Sequence, residues 1–303
     1  MKIAFYDLLE WEKNYLISRS EKFDYPEDLS GGPYEIVSTF ISTPIDCCFL
    51  EKFPHLKLIQ TRSTGFDHID LAACKELGIA VSNLPQYAQN TVAEFTFALI
   101  LNLSRKINYN TQAVINQQAT SVENLEGFDL YGKTIGIIGT GAIGSRVAQI
   151  AQGFNMRVLA YDTKQTEPLT YTSLETLLIE SDVITLHLPY TSETHHIINK
   201  QTLSLIKSDA ILINTARGGL IDQHALLEAL NNKQLAGAGL DVLEDEADIL
   251  SPINQELINH PAATVTSHNA YNSREARIRM LEETLKTVDN FKKGIHIHPV
   301  KNS

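Results

Sequence analysis

Thr134-Ile135-Gly136-Ile137-Ile138-Gly139-Thr140-Gly141-Ala142-Ile143-Gly144 decides the fold, because an apolar run of strand length passes directly into Gly-x-Gly-x-x-Gly. Beyond the loop, Ile143, Val147, Ile150, Ala151 and Phe154 recur on one face at helical spacing. Strand, glycine loop and helix in this order have a physical logic. Gly139 permits the tight turn, Gly141 lets an anion approach the backbone, and Gly144 lets the helix pack close to the sheet. The helix start at Ala142 and Ile143 offers unpaired N–H groups and the positive end of the helix dipole to a pyrophosphate. The next strand, Arg157–Tyr161, ends in Asp162, eighteen residues after Gly144. A carboxylate there accepts from both hydroxyls of an adenosine ribose and repels a 2′-phosphate, so the pattern predicts NAD rather than NADP, with Lys164 working slightly against it.

Immediately upstream, Gly127-Phe128-Asp129-Leu130-Tyr131-Gly132-Lys133-Thr134 fits G-x-x-x-x-G-K-T literally. A phosphate loop of that type follows a strand and opens a helix, whereas this one leads into a strand. It is read as a connection and not as an ATP site.

Outward from the loop, strand-like runs recur at Val183–His187, Ala210–Asn214, Gly237–Asp241 and Ala263–Thr266, with helical stretches between most of them. Thr172-Ser173-Leu174-Glu175 is a capping-box pattern, and Asp222 precedes the Ala- and Leu-rich segment Gln223–Asn231. Apolar strands alternating with amphipathic helices describe a doubly wound parallel sheet. Before it, short runs at Ile3–Tyr6, Glu35–Phe40, Cys47–Leu50, Leu58–Gln60 and Ile79–Ser82 read as strands of a smaller α/β domain. A helical stretch from Thr91 to about Gln118 connects the two, and a helix from Ser273 to about Lys293 returns the chain to the first. The expected domains are therefore 1–101 plus 273–303, and 102–272.

Composition agrees with this reading. The 303 residues suit two domains, and 43% hydrophobic with 20% charged content is that of an ordinary globular chain. A net charge of −11 disfavours nonspecific binding to nucleic acid or an anionic membrane. The start, Met1 to Asp7, turns acidic without a secretory h-region, and no run is long and apolar enough for a bilayer, so a cytoplasmic location is expected. Cys47, Cys48 and Cys74 form no CxxC pair and are expected to be buried structural thiols. No metal site is expected: His195 and His196 are adjacent and should project differently, and His296 and His298 sit near a flexible terminus. HExxH and GxSxG are absent, which removes the usual support for zinc hydrolysis or serine-esterase chemistry.

Ligands of such sheets bind beyond the carboxyl ends of the strands. Three motifs occupy those places: Asn214-Thr215-Ala216-Arg217-Gly218-Gly219, Gly239 to Glu246, and Thr266-Ser267-His268-Asn269-Ala270. An Arg, a Glu and a His thus converge. With the glycine loop, with His187-Leu188-Pro189, and with Arg62 to Asp70, Asn83 to Tyr87 and Thr91 to Glu94 upstream, the chain resembles the D-isomer-specific 2-hydroxyacid dehydrogenases over nearly its whole length. The resemblance implies two Rossmann-like or flavodoxin-like α/β domains, the nucleotide domain being inserted in the substrate domain, that close over substrate, and a homodimer built through the nucleotide domains. It implies that Arg217 grips the substrate carboxylate and polarises the carbonyl, that His268 is the acid and base, and that Glu246 pairs with His268. It places Thr64, Gly65 and Tyr87 on the substrate, and Thr91, His187, Pro189, Thr194, Thr215, Ala216 and Asp241 along the cofactor, with Asp241 near the nicotinamide end, tuning the Glu246–His268 network.

Ala247 and Ser267 stand where many relatives have proline flanking the catalytic Glu and His. Glu rather than Gln as the His partner disfavours formate dehydrogenases. The segments Glu244 to Ile249 and Tyr6 to Lys13 look most like the D-lactate dehydrogenase branch. The expected reaction is NADH-dependent reduction of a small 2-oxo acid, pyruvate above all. The alternatives are a glyoxylate/hydroxypyruvate reductase and a corepressor-like NAD-sensing protein, against which the intact Arg217, Glu246 and His268 argue.

Overall fold

The computed structural model describes residues 1–19, 22–28, 30–117, 125–166 and 168–300. Among these, the strands form two wholly parallel sheets, one of four and one of six. The chain divides into two compact units, Met1–Ala88 with Asn272–Ser303, and Gln89–Tyr271.

In the smaller unit β1 (Ile3–Phe5), β2 (Ile36–Thr39), β3 (Leu58–Thr61) and β4 (Ala80–Ser82) lie in chain order. Their continuous apolar character follows from burial on both faces. Phe49, Phe53, Ile59 and Val81 fill one side, and Phe5, Leu16, Leu58 and Leu281 the other. Arg274–Lys292, the returning helix, is capped by Ser273, whose side chain accepts from the Ala276 amide.

The larger unit holds β5 (Thr134–Ile138), β6 (Arg157–Tyr161), β7 (Val183–Leu186), β8 (Ile211–Asn214), β9 (Gly237–Leu240) and β10 (Ala263–Val265), in the spatial order β10-β9-β8-β7-β5-β6. β5 is flanked by β6 on one side and β7 on the other, so the winding reverses there and opens a crevice at the strand ends. Ile135, Ile137 and Ile213 pack with Phe97, Ile100 and Val147 on one face; Leu186, Leu212 and Leu240 pack with Leu177 and Leu226 on the other.

Several expectations are corrected. Cys47–Leu50 is a helical turn, not a strand, because Asp46 caps it by accepting from the Phe49 amide at 2.8 Å. A short apolar run has no periodicity with which to decide between the two. The connecting helix is two helices, Gln89–Ser104 and Ile107–Ile115, broken where Lys106 turns to φ 50°; Gln118 lies outside the described residues. The first helix packs on the glycine-loop helix and on β8 and β9, which puts the division at Ala88/Gln89 instead of 101/102. Of the cysteines only Cys74 is buried; Cys47 and Cys48 are exposed. The C-terminal segment is tied down rather than loose, since the Val300 amide donates to the Val81 carbonyl and Ser82 Oγ to the Ile297 carbonyl. Among the described residues no helix is long and apolar enough to cross a membrane.

Candidate active site

The glycine loop joins β5 to the helix Ala142–Gly153. Gly139 has φ 95°, and a Cβ there would lie 2.7 Å from the His187 carbonyl group, so only glycine lets the loop run against the chain leaving β7. At Gly144 a Cβ would collide with the Gly139 carbonyl oxygen, which is the close helix–sheet packing expected of the third glycine. Gly141 instead faces open space. As N-cap it supplies no side-chain oxygen, so the first-turn amides of Ala142 and Ile143 are left for an anion.

Asp162, just beyond β6, accepts from the Thr140 amide at 2.6 Å and the Lys164 amide at 2.9 Å. Burial pushes its carboxyl up, but these hydrogen bonds and that of the Thr140 hydroxyl outweigh burial and hold it below the usual carboxylate range. It is therefore an anionic acceptor at the loop. Beyond β7, burial drives the His187 pKa down to about 3, so the ring is neutral; Nε2 lies 2.9 Å from Thr185 Oγ1 while buried Nδ1 has no partner among the described residues. An orphaned polar nitrogen, an open glycine and a free helix start at one crevice fit a dinucleotide. Thr194 closes the following loop by donating to the Pro189 carbonyl at 2.7 Å. Beyond β8, Thr215 and Thr96 share a hydrogen bond at 3.0 Å, and Thr96 also donates to Val92, which ties this loop to the helix whose first turns carry Thr91.

Arg217 follows β8 in extended backbone. Asn214 fixes its loop by donating to the Arg217 carbonyl and accepting from the Ala216 amide, at 2.9 and 3.0 Å. Gly218 sits against the Leu243–Glu244 backbone so closely that a Cβ would collide, which docks the arginine loop onto the segment leading to Glu246. The Arg217 guanidinium donates to the Ala216 carbonyl at 2.7 Å and is half-buried.

His268 stands in the left-handed region, φ 50°, a conformation that costs a non-glycine residue roughly 1 kcal/mol and needs support. Asp241 supplies it. This carboxylate, 1% exposed, accepts from Thr266 Oγ1 at 2.6 Å and from the Asn269 and Ala270 amides at 2.9 and 2.8 Å. The Asp241 carbonyl accepts from the His268 amide at 2.8 Å. Asp241 is thus the anchor of the histidine loop, and its influence on the Glu246–His268 pair runs through these hydrogen bonds. The turned ring places Nδ1 2.8 Å from Glu246 Oε2 and leaves Nε2 as its other proton position.

The smaller unit carries its own set of expected residues. Thr64 donates its hydroxyl to the Leu84 carbonyl at 2.9 Å, and Asn83 donates to the Thr64 carbonyl at 2.7 Å, so the two loops form one cluster. The Gly65 carbonyl accepts from Ser63 Oγ at 2.6 Å. Tyr87 is buried at 4% exposure, and its carbonyl accepts from Arg279 Nε at 2.8 Å. Beneath this cluster is a feature that sequence reading missed. Arg62 is wholly buried and donates to Ser38 Oγ and the Tyr6 and Asp7 carbonyls. Burial lowers its pKa to about 10 against the opposing pull of Glu12 and Asp7, so it remains a cation. Glu12, also wholly buried, binds Arg277 through both carboxylate oxygens at 2.8 and 2.9 Å. Charged residues scattered over more than two hundred positions give no local signal of such a network.

The histidine pair departs from expectation. His195 and His196 do not project apart: His196 takes φ 49°, and the rings stack at 3.8 Å between centroids. His296 packs edge-on against Phe291.

Residues 97–270, more than half of the chain, match the model of the D-isomer specific 2-hydroxyacid dehydrogenase NAD-binding domain. The chain belongs to the D-isomer-specific 2-hydroxyacid dehydrogenases. It is 33% identical to a D-lactate dehydrogenase of Escherichia coli, over 97% of this chain and 98% of that one. It is 37% identical to a glyoxylate reductase of Korarchaeum cryptofilum, over 84% of this chain and 79% of that one. Among solved structures, D-lactate dehydrogenase from Aquifex aeolicus complexed with NAD and lactic acid superposes with a TM-score of 0.86 at 38% identity, covering 97% of this chain and 96% of that one. The dehydrogenase is accordingly an NAD-dependent oxidoreductase of 2-hydroxy acids, and 97–270 is its NAD-binding domain.

Proposed function

We propose that this dehydrogenase reduces pyruvate to D-lactate with NADH. The observation that carries the chemistry is the Glu246–His268 pair at 2.8 Å, held by Asp241 beside the arginine loop. The D-lactate dehydrogenases among its relatives support the substrate. NADH, when bound, supplies the hydride that reaches the carbonyl carbon. The amides at Ala142 and Ile143 would hold the pyrophosphate, with Gly139, Gly141 and Gly144 shaping the loop and Asp162 taking the ribose hydroxyls; Thr91, His187, Pro189, Thr194, Thr215 and Ala216 would line the rest. Arg217 fixes the substrate carboxylate and draws charge toward the carbonyl oxygen, which a planar fork of donors does better than an ammonium. His268 donates its Nε2 proton to that oxygen, and Glu246 stabilises the ring that carries the proton. In oxidation the same nitrogen takes the proton back. In the smaller unit, Thr64, Gly65 and Tyr87 are assigned to the substrate.

A second reading rests on a specific observation: glyoxylate reductases match at 34–38% identity, as closely as the lactate enzymes. Purified enzyme assayed by NADH oxidation against pyruvate, hydroxypyruvate, glyoxylate and phenylpyruvate, with chiral analysis of the product, separates the two. Fastest turnover on pyruvate giving the D product supports the proposal; a glyoxylate preference of tenfold or more transfers the enzyme to the second reading. A homodimer is proposed from the helix Ile107–Ile115, which exposes Ile107, Tyr109, Val114 and Ile115 by 41–71%. Sedimentation as a monomer at working concentration would contradict it.

A further inference from the structure

We propose that His195, His196 and Glu244 form a site for a borderline divalent transition metal of the zinc class, independent of which 2-oxo acid the enzyme reduces. One ligand atom from each residue already lies within 4.8 Å of the other two. His196 Nε2 and Glu244 Oε1 are 2.7 Å apart. A tetrahedral ion with bonds of about 2.0–2.1 Å spaces its ligand atoms by roughly 3.3 Å, so rotation of the exposed His195 and Glu244 side chains completes the set. Two imidazoles and one carboxylate, with water in the fourth place, are a zinc-type ligand set; they suit Zn²⁺, Ni²⁺ or Co²⁺ and not Mg²⁺ or Ca²⁺, which prefer all-oxygen shells.

The surroundings orient both rings. Extended backbone would send neighbouring side chains to opposite faces. The left-handed turn at His196 overrides that rule, and it is secured by the His196 amide donating to the Gly219 carbonyl at 2.9 Å and by Asn199 Nδ2 donating to the His196 carbonyl at 2.9 Å. The Tyr190 hydroxyl lies 3.1 Å from His195 Nδ1. With His195 as the donor through Nδ1–H, this contact goes with the tautomer whose Nε2 lone pair is open to a metal. Tyr190 is itself positioned over Gly219, where a Cβ would meet its ring at 2.6 Å. The Glu244 amide donates to Gln223, which fixes the carboxylate-bearing turn. A bound ion thereby cross-links the loop after β7 to the segment after β9, where a hydrogen bond now stands.

The test uses the full-length, tag-free protein, titrated with Co²⁺ by absorption and with Zn²⁺ by calorimetry. One equivalent is expected, with a Co²⁺ ligand-field band of imidazole coordination and no heat from Mg²⁺. His196→Gln and Glu244→Gln should each weaken Zn²⁺ at least tenfold, consistent with the loss of one ligand, while His298→Gln leaves it unchanged. Retained NADH binding shows that the variants are folded. Equal Zn²⁺ affinity in wild type and His196→Gln, a loss that follows His298 instead, or no Zn²⁺ uptake below millimolar concentration would overturn the site and leave the pair as a hydrogen-bonded tether.

Discussion

Two carboxylate–imidazole pairs stand on the segment that leaves β9, and they are nearly alike. Glu246 meets His268 at 2.8 Å and Glu244 meets His196 at 2.7 Å. Both histidines are in the left-handed region, at φ 50° and 49°. Exposure barely distinguishes them, with ring exposures of 31% and 29% and carboxylates at 41% and 37%. What separates them is the next layer. His268 is held by a buried carboxylate, Asp241, that takes three hydrogen bonds from its loop, and its Nε2 has no hydrogen bond among the described residues. His196 is held by backbone and amide groups and lies flat against a second imidazole. A pair whose imidazole keeps one nitrogen open can pass a proton; a pair stacked on another imidazole offers further ligand atoms. Pair geometry alone does not define function.

The comparison breaks most visibly at His268. His268→Gln should lower kcat about 10³-fold with little change in NADH binding, the usual range for loss of a positioned acid. Stopped-flow NADH oxidation under single-turnover conditions reads it without product release. Asp241→Asn leaves the pair itself intact but removes an acceptor from the loop anchor; a fall of about 10²-fold in kcat is expected, because small displacements of a reacting group are costly. A normal rate would show that the loop holds its shape without Asp241.

Asp162→Ser sharpens the cofactor side and should narrow the NADH over NADPH preference about tenfold, the scale of one hydrogen-bonded contact near 1.4 kcal/mol. The same residue has a pH signature. Its folded pKa lies below the ordinary Asp value of about 3.9, so its contribution to stability is present above that pH and is lost as pH falls through the lowered value. Acid unfolding of the Ser variant should be correspondingly less steep. The smallest effect belongs to the second pair: His196→Gln, assayed with chelator present, should keep kcat within threefold of wild type.

The glycine loop, Asp162 and the alternation of strands and helices were legible because each is local, one apolar period or one spacing at a time. Arg217, Glu246 and His268 were legible as residues at strand ends, and the structure brings the last two into contact. What escaped the sequence was set by distant partners or by backbone turns. Asp241 anchors a loop some twenty-five residues on. Lys106 and His196 adopt left-handed conformations that no composition rule marks. The capping of Cys47–Leu50 by Asp46 outweighed a β-rich run, and the Arg62, Glu12 and Arg277 network was assembled by folding.

The most direct measurement is single-turnover NADH oxidation with pyruvate, run side by side on wild type, His268→Gln and His196→Gln without metal. A loss of about 10³ in the first variant and less than threefold in the second is the predicted result. Comparable rates in the two variants, whether both fast or both slow, would contradict the assignment of proton transfer to the Glu246–His268 pair.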